Sequence, residues 1–276
     1  MPAALPHSGG TRRRGRKRSS VKRVTAIVGT ARKRSTHKAV LQFLKNLQSL
    51  GYIEYEVVAL SDFRLDLCKG CKLCFLKGEE YCPLKDDRDV LIEKLMAPDG
   101  VVFASPNYAF QVSAIMKAFL DRLGFVLHRP RYFGKTFTSI VVQGVYGGDK
   151  IVKYLDFVGK GLGFNTVEGT CVTALDPITE KGQQKIDSAL GRLSKRFYER
   201  LMKPAYPVPP LLNLMAFRMS RTSMKLMLDG SYRDYTYFTD KGWFESEFYY
   251  PIRLSPPKRA AGSLFDSIAT AMTRRR

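Results

Sequence analysis

Histidine is scarce in this chain: His7, His37 and His128 are the only three in 276 residues. None stands at a metal-ligand or catalytic-triad spacing from a partner, so zinc hydrolysis and nucleophilic hydrolysis have no visible constellation. Long apolar runs are missing too. No segment approaches the roughly 20 residues that a membrane helix needs, and no apolar stretch separates the N-terminal basic run from the first strand pattern. The expectation is a soluble, cytoplasmic protein without a membrane span. Glycine is absent where nucleotide signatures require it. The only Gly-Lys-Thr run, Gly134 to Thr136, has Arg129 where a P-loop needs its upstream glycine. The Gly159, Gly161, Gly163 series has the wrong spacing for a dinucleotide fingerprint and follows a helix pattern, not the first strand. Acidic residues are few, 25 against 46 basic ones, for a net charge of +21. Eight of the positive charges (Arg12, Arg13, Arg14, Arg16, Lys17, Arg18, Lys22 and Arg23) precede the first strand proper. Residues 1–20 therefore read as a solvated, disordered basic tail, and contact with nucleic acid would have to run through that tail alone.

The stretch present in their place is a strand, a loop and a helix. Val24 to Val28 form a short β-branched run that stops at Gly29, and Val40, Phe43, Leu44 and Leu47 then recur at helical spacing. Between them lie Thr30, Arg32, Ser35 and Thr36, hydroxyls and cations ahead of a helix N-terminus, where free backbone N–H groups and the helix dipole favour an anion. A plain polar turn with Ser35 or Thr36 as N-cap has the same composition, so this loop alone leaves both readings open.

Further strands are predicted over 54–60, 101–104, 136–142 and 166–172, separated by helices whose last holds Ile186, Leu190, Leu193, Phe197 and Leu201. Alternation of this kind predicts an α/β domain over residues 21–203, doubly wound around a five-stranded parallel sheet. The order 2-1-3-4-5 places the switch point between the first and third strands. Pro106, Asn107, Tyr108, Ala109 and Phe110 then face the anion loop across a crevice, with Gly144, Gly147 and Gly148 beside them. A phosphorylated planar ligand suits such a crevice. Residues 204–276 change character to a proline-led, aromatic-rich extension, read as a packing or dimerisation segment; one small domain would struggle to cover its apolar surface, so a homodimer is expected.

Four of the five cysteines, Cys68, Cys71, Cys74 and Cys82, fall within fifteen residues of a connection too long to be plain. Without a signal peptide, that density favours metal or redox use over a disulfide framework.

Three motifs in this order resemble the flavodoxin-like NADPH-dependent FMN reductases, with the iron–sulfur flavoproteins as the nearest branch. They are the run from Gly29 to Thr36, the cysteines with Asp86 and Asp87, and the Ser105 to Tyr108 loop followed by Lys117 to Arg122. The resemblance implies bound FMN, with phosphate on Thr30, Arg32, Ser35 and Thr36 and the ring against residues 106–110 and Gly144 to Gly148. It also implies NAD(P)H as co-substrate, a small-molecule electron acceptor, and no side chain acting as acid or base. The four cysteines resemble that branch's motif for a 4Fe–4S cluster; zinc could use the same thiolates, or the thiols could simply fill the loop. A non-catalytic electron carrier is the rival reading, against which the strongly basic balance speaks.

Overall fold

The computed structural model describes residues 21–275; the basic segment 1–20, expected to be disordered, lies outside the described residues. The strands are β1 (Lys22–Val28), β2 (Ile53–Ala59), β3 (Gly100–Pro106), β4 (Thr136–Gln143), β5 (Asn165–Thr166) and β6 (Thr170–Thr173). All neighbours pair in parallel in the order β2-β1-β3-β4-β5, with β6 continuing beside β4. This is the flavodoxin-like order expected from the alternation of elements, and it sets the ends of β1 and β3 side by side at the switch point.

The central strands read as continuous apolar runs because they are buried on both faces. Val24, Ala26 and Val28 point into a core completed by α1 (Ser35–Leu50) and α7 (Glu180–Leu201), where Phe43 meets Phe197 edge-on at 5.5 Å. Ile27 and Phe103 point into the opposite core, under α3 (Arg88–Met96), α4 (Ala114–Arg122), α5 (Gly124–His128) and α6 (Gly148–Gly161). There Phe103 sits edge-on to Phe119 at 5.7 Å and to Phe137 at 5.0 Å, the arrangement ring quadrupoles favour.

Two expectations are corrected. The fifth strand is not one run over 166–172 but the two short pieces β5 and β6. The chain detours between them because the buried Asp156 carboxylate takes the Gly169 N–H at 2.9 Å while accepting from the Ser139 hydroxyl at 2.8 Å. Neither Ser35 nor Thr36 is the N-cap of α1: the capping position is Arg34, which makes no side-chain cap, and Ser35 is already helical.

The long connection after β2 holds 3₁₀ turns at Leu60–Asp62 and Glu79–Tyr81 and a single helical turn, α2 (Leu73–Leu76). The extension folds as α8 (Leu211–Met227), α9 (Arg233–Asp240) and α10 (Pro256–Arg274) around its own cluster of Leu214, Phe217, Phe238, Trp243, Phe248 and Leu254. Phe133, from the segment entering β4, inserts into it and stacks on Tyr249 at 4.9 Å. Much of the aromatic surface expected to need a second copy is therefore covered within the chain, Trp243 included. No helix among the described residues is long and apolar enough to cross a membrane.

Candidate functional site

The crevice at the carboxyl edge of the sheet is assembled from three loops. The first leaves β1 at Gly29, which is buried because α4 starts directly against it. A Cβ there would lie 2.8 Å from Met116 Cβ, and the Gly29 carbonyl accepts the Ser113 hydroxyl at 2.6 Å. Only hydrogen fits at that approach. The loop then exposes Arg32, Lys33 and Arg34, and the Thr30 hydroxyl accepts from the Arg32 N–H at 3.2 Å. The first turn of α1 has no side-chain cap and no acidic residue, so among the described residues no carboxylate of that turn offsets its dipole end.

The second loop follows β3. Tyr108 and Gln111 exchange N–H···O bonds of 3.0 Å each, closing a two-residue turn whose central residues, Ala109 and Phe110, have φ of 48° and 62°. Such turns normally use asparagine or glycine, because a Cβ at positive φ costs about 1–2 kcal/mol. Here the strained turn presents Tyr108 and Phe110 to solvent. Strain of this kind persists where the surroundings fix it, and it clusters at ligand sites.

The third loop, after β4, meets the second. Asn107 Nδ2 donates to the Tyr146 carbonyl at 2.9 Å, and Phe110 lies 5.3 Å from the Tyr146 ring. Gly147, at φ 90°, permits this contact, since a Cβ there would stand 2.8 Å from the Phe110 ring. Arg32 Nη2 reaches the Tyr108 hydroxyl at 3.2 Å, bridging the first two loops across the mouth.

Of the residues singled out in sequence, Thr30 and Arg32 lie together on the first loop, and Asn107, Tyr108 and Phe110 meet Arg32, Tyr146 and Gly147 across the mouth. Ser35, in the first turn of α1, also lines a separate cavity with Lys38 and Ile186, and among the described residues Gly144 comes close only to Leu175. Thr36 is buried in the first turn of α1. Gly148 faces away: its N–H is taken by the Gln143 amide oxygen at 2.7 Å, and its Cα packs against Cys171. Asn107 Oδ1 is buried and has no partner among the described residues, an acceptor that a bound molecule could satisfy.

The second feature is a cavity of about 250 Å³ lined by all four sequence-selected cysteines together with Arg122 and Phe125. It lies at the C-terminal end of α4, whereas the crevice lies at that helix's N-terminal end. Arg122 clamps Asp86 through two bonds of 2.8 and 3.1 Å and donates to Cys82 Sγ at 3.2 Å. Burial works to raise the Cys82 thiol pKa, but the Leu84 N–H and the Arg122 guanidinium take it below the ordinary thiol value. Burial holds the Cys74 thiol above that value. Among the described residues, no group of three or more histidine, cysteine, aspartate or glutamate side chains is arranged to hold a metal ion. The ion pair of Arg122 with Asp86 beside this cavity is a contact that sequence reasoning missed; Asp86 and the Lys117 to Arg122 run were visible, but not that they meet.

A family model described as NADPH-dependent FMN reductase matches residues 22–175. Two proteins of Archaeoglobus fulgidus, each named iron-sulfur flavoprotein, are similar in sequence. One is 37% identical over 143 residues, covering 51% of this chain and 64% of that protein, so the match spans less than two thirds of the relative. The other is 28% identical over 162 residues, covering 56% of this chain and 79% of that protein. The crystal structure of RosB with a bound intermediate, 8-demethyl-8-formylriboflavin-5'-phosphate, has a TM-score of 0.54 and 14% identity, covering 85% of this chain and 92% of that one. This last likeness is one of fold.

Proposed function

The chain belongs to the NADPH-dependent FMN reductase family, and from that premise we propose that it is an FMN-dependent NAD(P)H oxidoreductase that passes electrons to a small acceptor such as a quinone or a flavin. The observation that carries the reading is the crevice at the switch point, where an uncapped helix start, half-buried hydroxyls and exposed arginines oppose a strained aromatic turn. The donor set fits a phosphate monoester on one side, and the partnerless Asn107 Oδ1 fits a hydrogen-bonding ring or chain on the other.

FMN supplies the redox chemistry when bound, exchanging electrons with a nicotinamide and an acceptor. The protein's part is orientation. Thr30, Arg32, Ser35 and Thr36 would hold the phosphate through charge-assisted hydrogen bonds and the α1 dipole. Pro106 to Phe110 would line the chain and ring, with Gly144 and Gly147 leaving room behind them; Gly148 would contribute by starting α6. None of these residues is a carboxylate, a histidine or a thiol, in keeping with a reaction in which side chains position but do not transfer protons.

The test is the absorption spectrum of the purified protein, followed by anaerobic addition of NADPH or NADH. A bound flavin bleached by either nucleotide, and FMN preferred over FAD, is the expected result. A colourless protein that takes up no FMN refutes the reading, and a flavin that neither nucleotide reduces moves it to an electron carrier.

One observation favours a metal-containing variant of the same function: four thiols line a single cavity, and sulfur donors suit a 4Fe–4S cluster. The cysteine segment has left-handed residues at Gly70 and Lys72, and Cys68 and Cys71 on its exposed arm would have to close over the cavity to ligate. Zinc could use the same four thiolates. Iron and acid-labile sulfide at about four each per chain, lost in Cys71→Ser, would support the cluster. As partners we propose a second copy of the chain, covering the apolar surface that Leu211, Leu212 and Leu264 still expose; the basic tail is the only segment proposed for nucleic acid. A monomer by light scattering counts against the dimer.

A further inference from the structure

The largest fully buried side chain among the described residues is a charged one, Arg129, immediately after α5. Its guanidinium serves two segments far apart in sequence, the cysteine connection and α9. Nη2 donates to the Cys74 carbonyl at 2.8 Å and to Glu79 Oε2 at 2.8 Å, while Nη1 pairs with Asp234 on α9. Asp234 is itself buried and is also bonded to His128 Nδ1 at 2.9 Å. The aromatic rings of Phe125 and Tyr237 stand 5.4 and 5.9 Å from the guanidinium. We propose that Asp234, acting through Arg129, is a positioning residue for the cysteine segment, so that α9 of the C-terminal extension is part of the thiol cavity's framework.

Charge balance makes the link specific. Two cations, Arg129 and Arg131, meet two carboxylates, Glu79 and Asp234, and Glu79 is shared between both arginines, at 2.8 and 3.1 Å. Without Asp234 the spot holds one uncompensated buried cation, a state proteins avoid by rearranging. Nη1 then has to turn to another acceptor or to water, and because Nη2 shares the same rigid plane, that rotation pulls it from the Cys74 carbonyl. That carbonyl belongs to α2, a single turn with no side-chain cap that begins after the left-handed Lys72. One turn of helix has little stability of its own. The Cys74 turn is therefore fixed largely from outside, by Arg129 and by the packing of Phe75 on His128 at 4.4 Å. The inference depends on the cavity's geometry and stands whether or not a metal occupies it.

The test uses the full-length chain and iodoacetamide, with the alkylation rate of each cysteine followed by mass spectrometry. Three variants are compared: Asp234→Asn, Asp234→Glu, and the double variant Arg129→Met/Asp234→Leu. The double variant leaves no unpaired buried charge, because Glu79 keeps Arg131. Cys74 should react at least tenfold faster in Asp234→Asn and in the double variant, and within threefold of the parent in Asp234→Glu. Cys171, which packs against Gly148 at the start of α6 and makes no bond to Arg129, Glu79 or Asp234, should not change. An unchanged Cys74 rate in the folded double variant overturns the proposal. So does a rise at Cys171 in step with Cys74, which would mark general loosening. If Asp234→Asn fails to fold, the double variant alone decides.

Discussion

Replacing Arg122 by methionine should cost this protein about 3 kcal/mol. The side chains of Arg122 and Asp86 are 3% and 1% exposed, and two N–H···O bonds join them. Removing one partner of a buried ion pair typically costs about 3–5 kcal/mol, because the survivor is left desolvated and unpaired. Asp86 would keep the N–H groups of Asp66 at 3.0 Å and Arg88 at 3.3 Å, which places the loss at the low end of that range. For a chain of this size, about 3 kcal/mol lowers the melting temperature by roughly 6–12 °C. Urea unfolding followed by far-ultraviolet circular dichroism would measure it. Asp86→Asn/Arg122→Met should recover part of the loss, since a neutral amide carries no desolvated charge. A loss below about 1 kcal/mol in the single variant would refute the argument that the pair is buried in solution.

Gly147→Ala should lower stability by about 1–2 kcal/mol through its positive φ, and should weaken FMN binding as well, because the new methyl group displaces Phe110; isothermal titration with FMN checks both, with unfolding curves alongside. Ser35→Ala/Thr36→Ala should weaken FMN binding by about 1–3 kcal/mol per lost donor; unchanged affinity would place the phosphate elsewhere. Stability should also depend on acid. Arg122 with neighbouring N–H groups, the Arg23 N–H with Lys22, and a backbone N–H with Arg129 and Arg131 outweigh burial and hold Asp86, Asp99 and Glu79 respectively below the usual carboxylate range. Folded values below the unfolded ones mean that their contribution is complete above the unfolded carboxylate pKa of about 4 and is lost as pH falls through the folded values. Asp156, raised by burial, works in the opposite sense. With three carboxylates against one, the unfolding free energy should fall below about pH 4; a flat profile down to pH 2 would count against the three pairs.

The parallel sheet was legible because β1 and β3 are short, largely apolar runs and α1 and α7 are periodic: β1 and α7 are where Val24 to Val28 and the Ile186 to Leu201 series put them. The split of the fifth strand was not legible, since it depends on one buried carboxylate, Asp156, thirteen residues upstream of the Gly169 N–H that it takes. Within the crevice, residue type pointed to the loops but not to orientation. Gly148 has the same composition as Gly147, yet Gln143 turns its N–H away. The positive φ of Ala109 and Phe110 had no sequence signal, because neither residue is one that such a turn selects. The extension's aromatic content suggested a partner copy; the insertion of Phe133 that covers part of it is a tertiary contact with no local trace.

The two candidate centres are tied together by one short helix. α4 spans nine residues, a rise of about 12 Å between its first and last Cα. At its N-terminus the Ser113 hydroxyl caps Met116 N–H and donates to the Gly29 carbonyl, so the helix is fixed to the loop that opens the crevice. At its C-terminus Arg122 is fixed to Asp86 and to Cys82, so the same helix is fixed to the cysteine cavity. A helix held at both ends behaves as a strut: its core face, Phe119 and Leu120, is buried, which leaves it little freedom to tilt. The separation between the crevice and the thiol cavity is therefore set by the backbone of α4, and a change at either anchor would alter that distance.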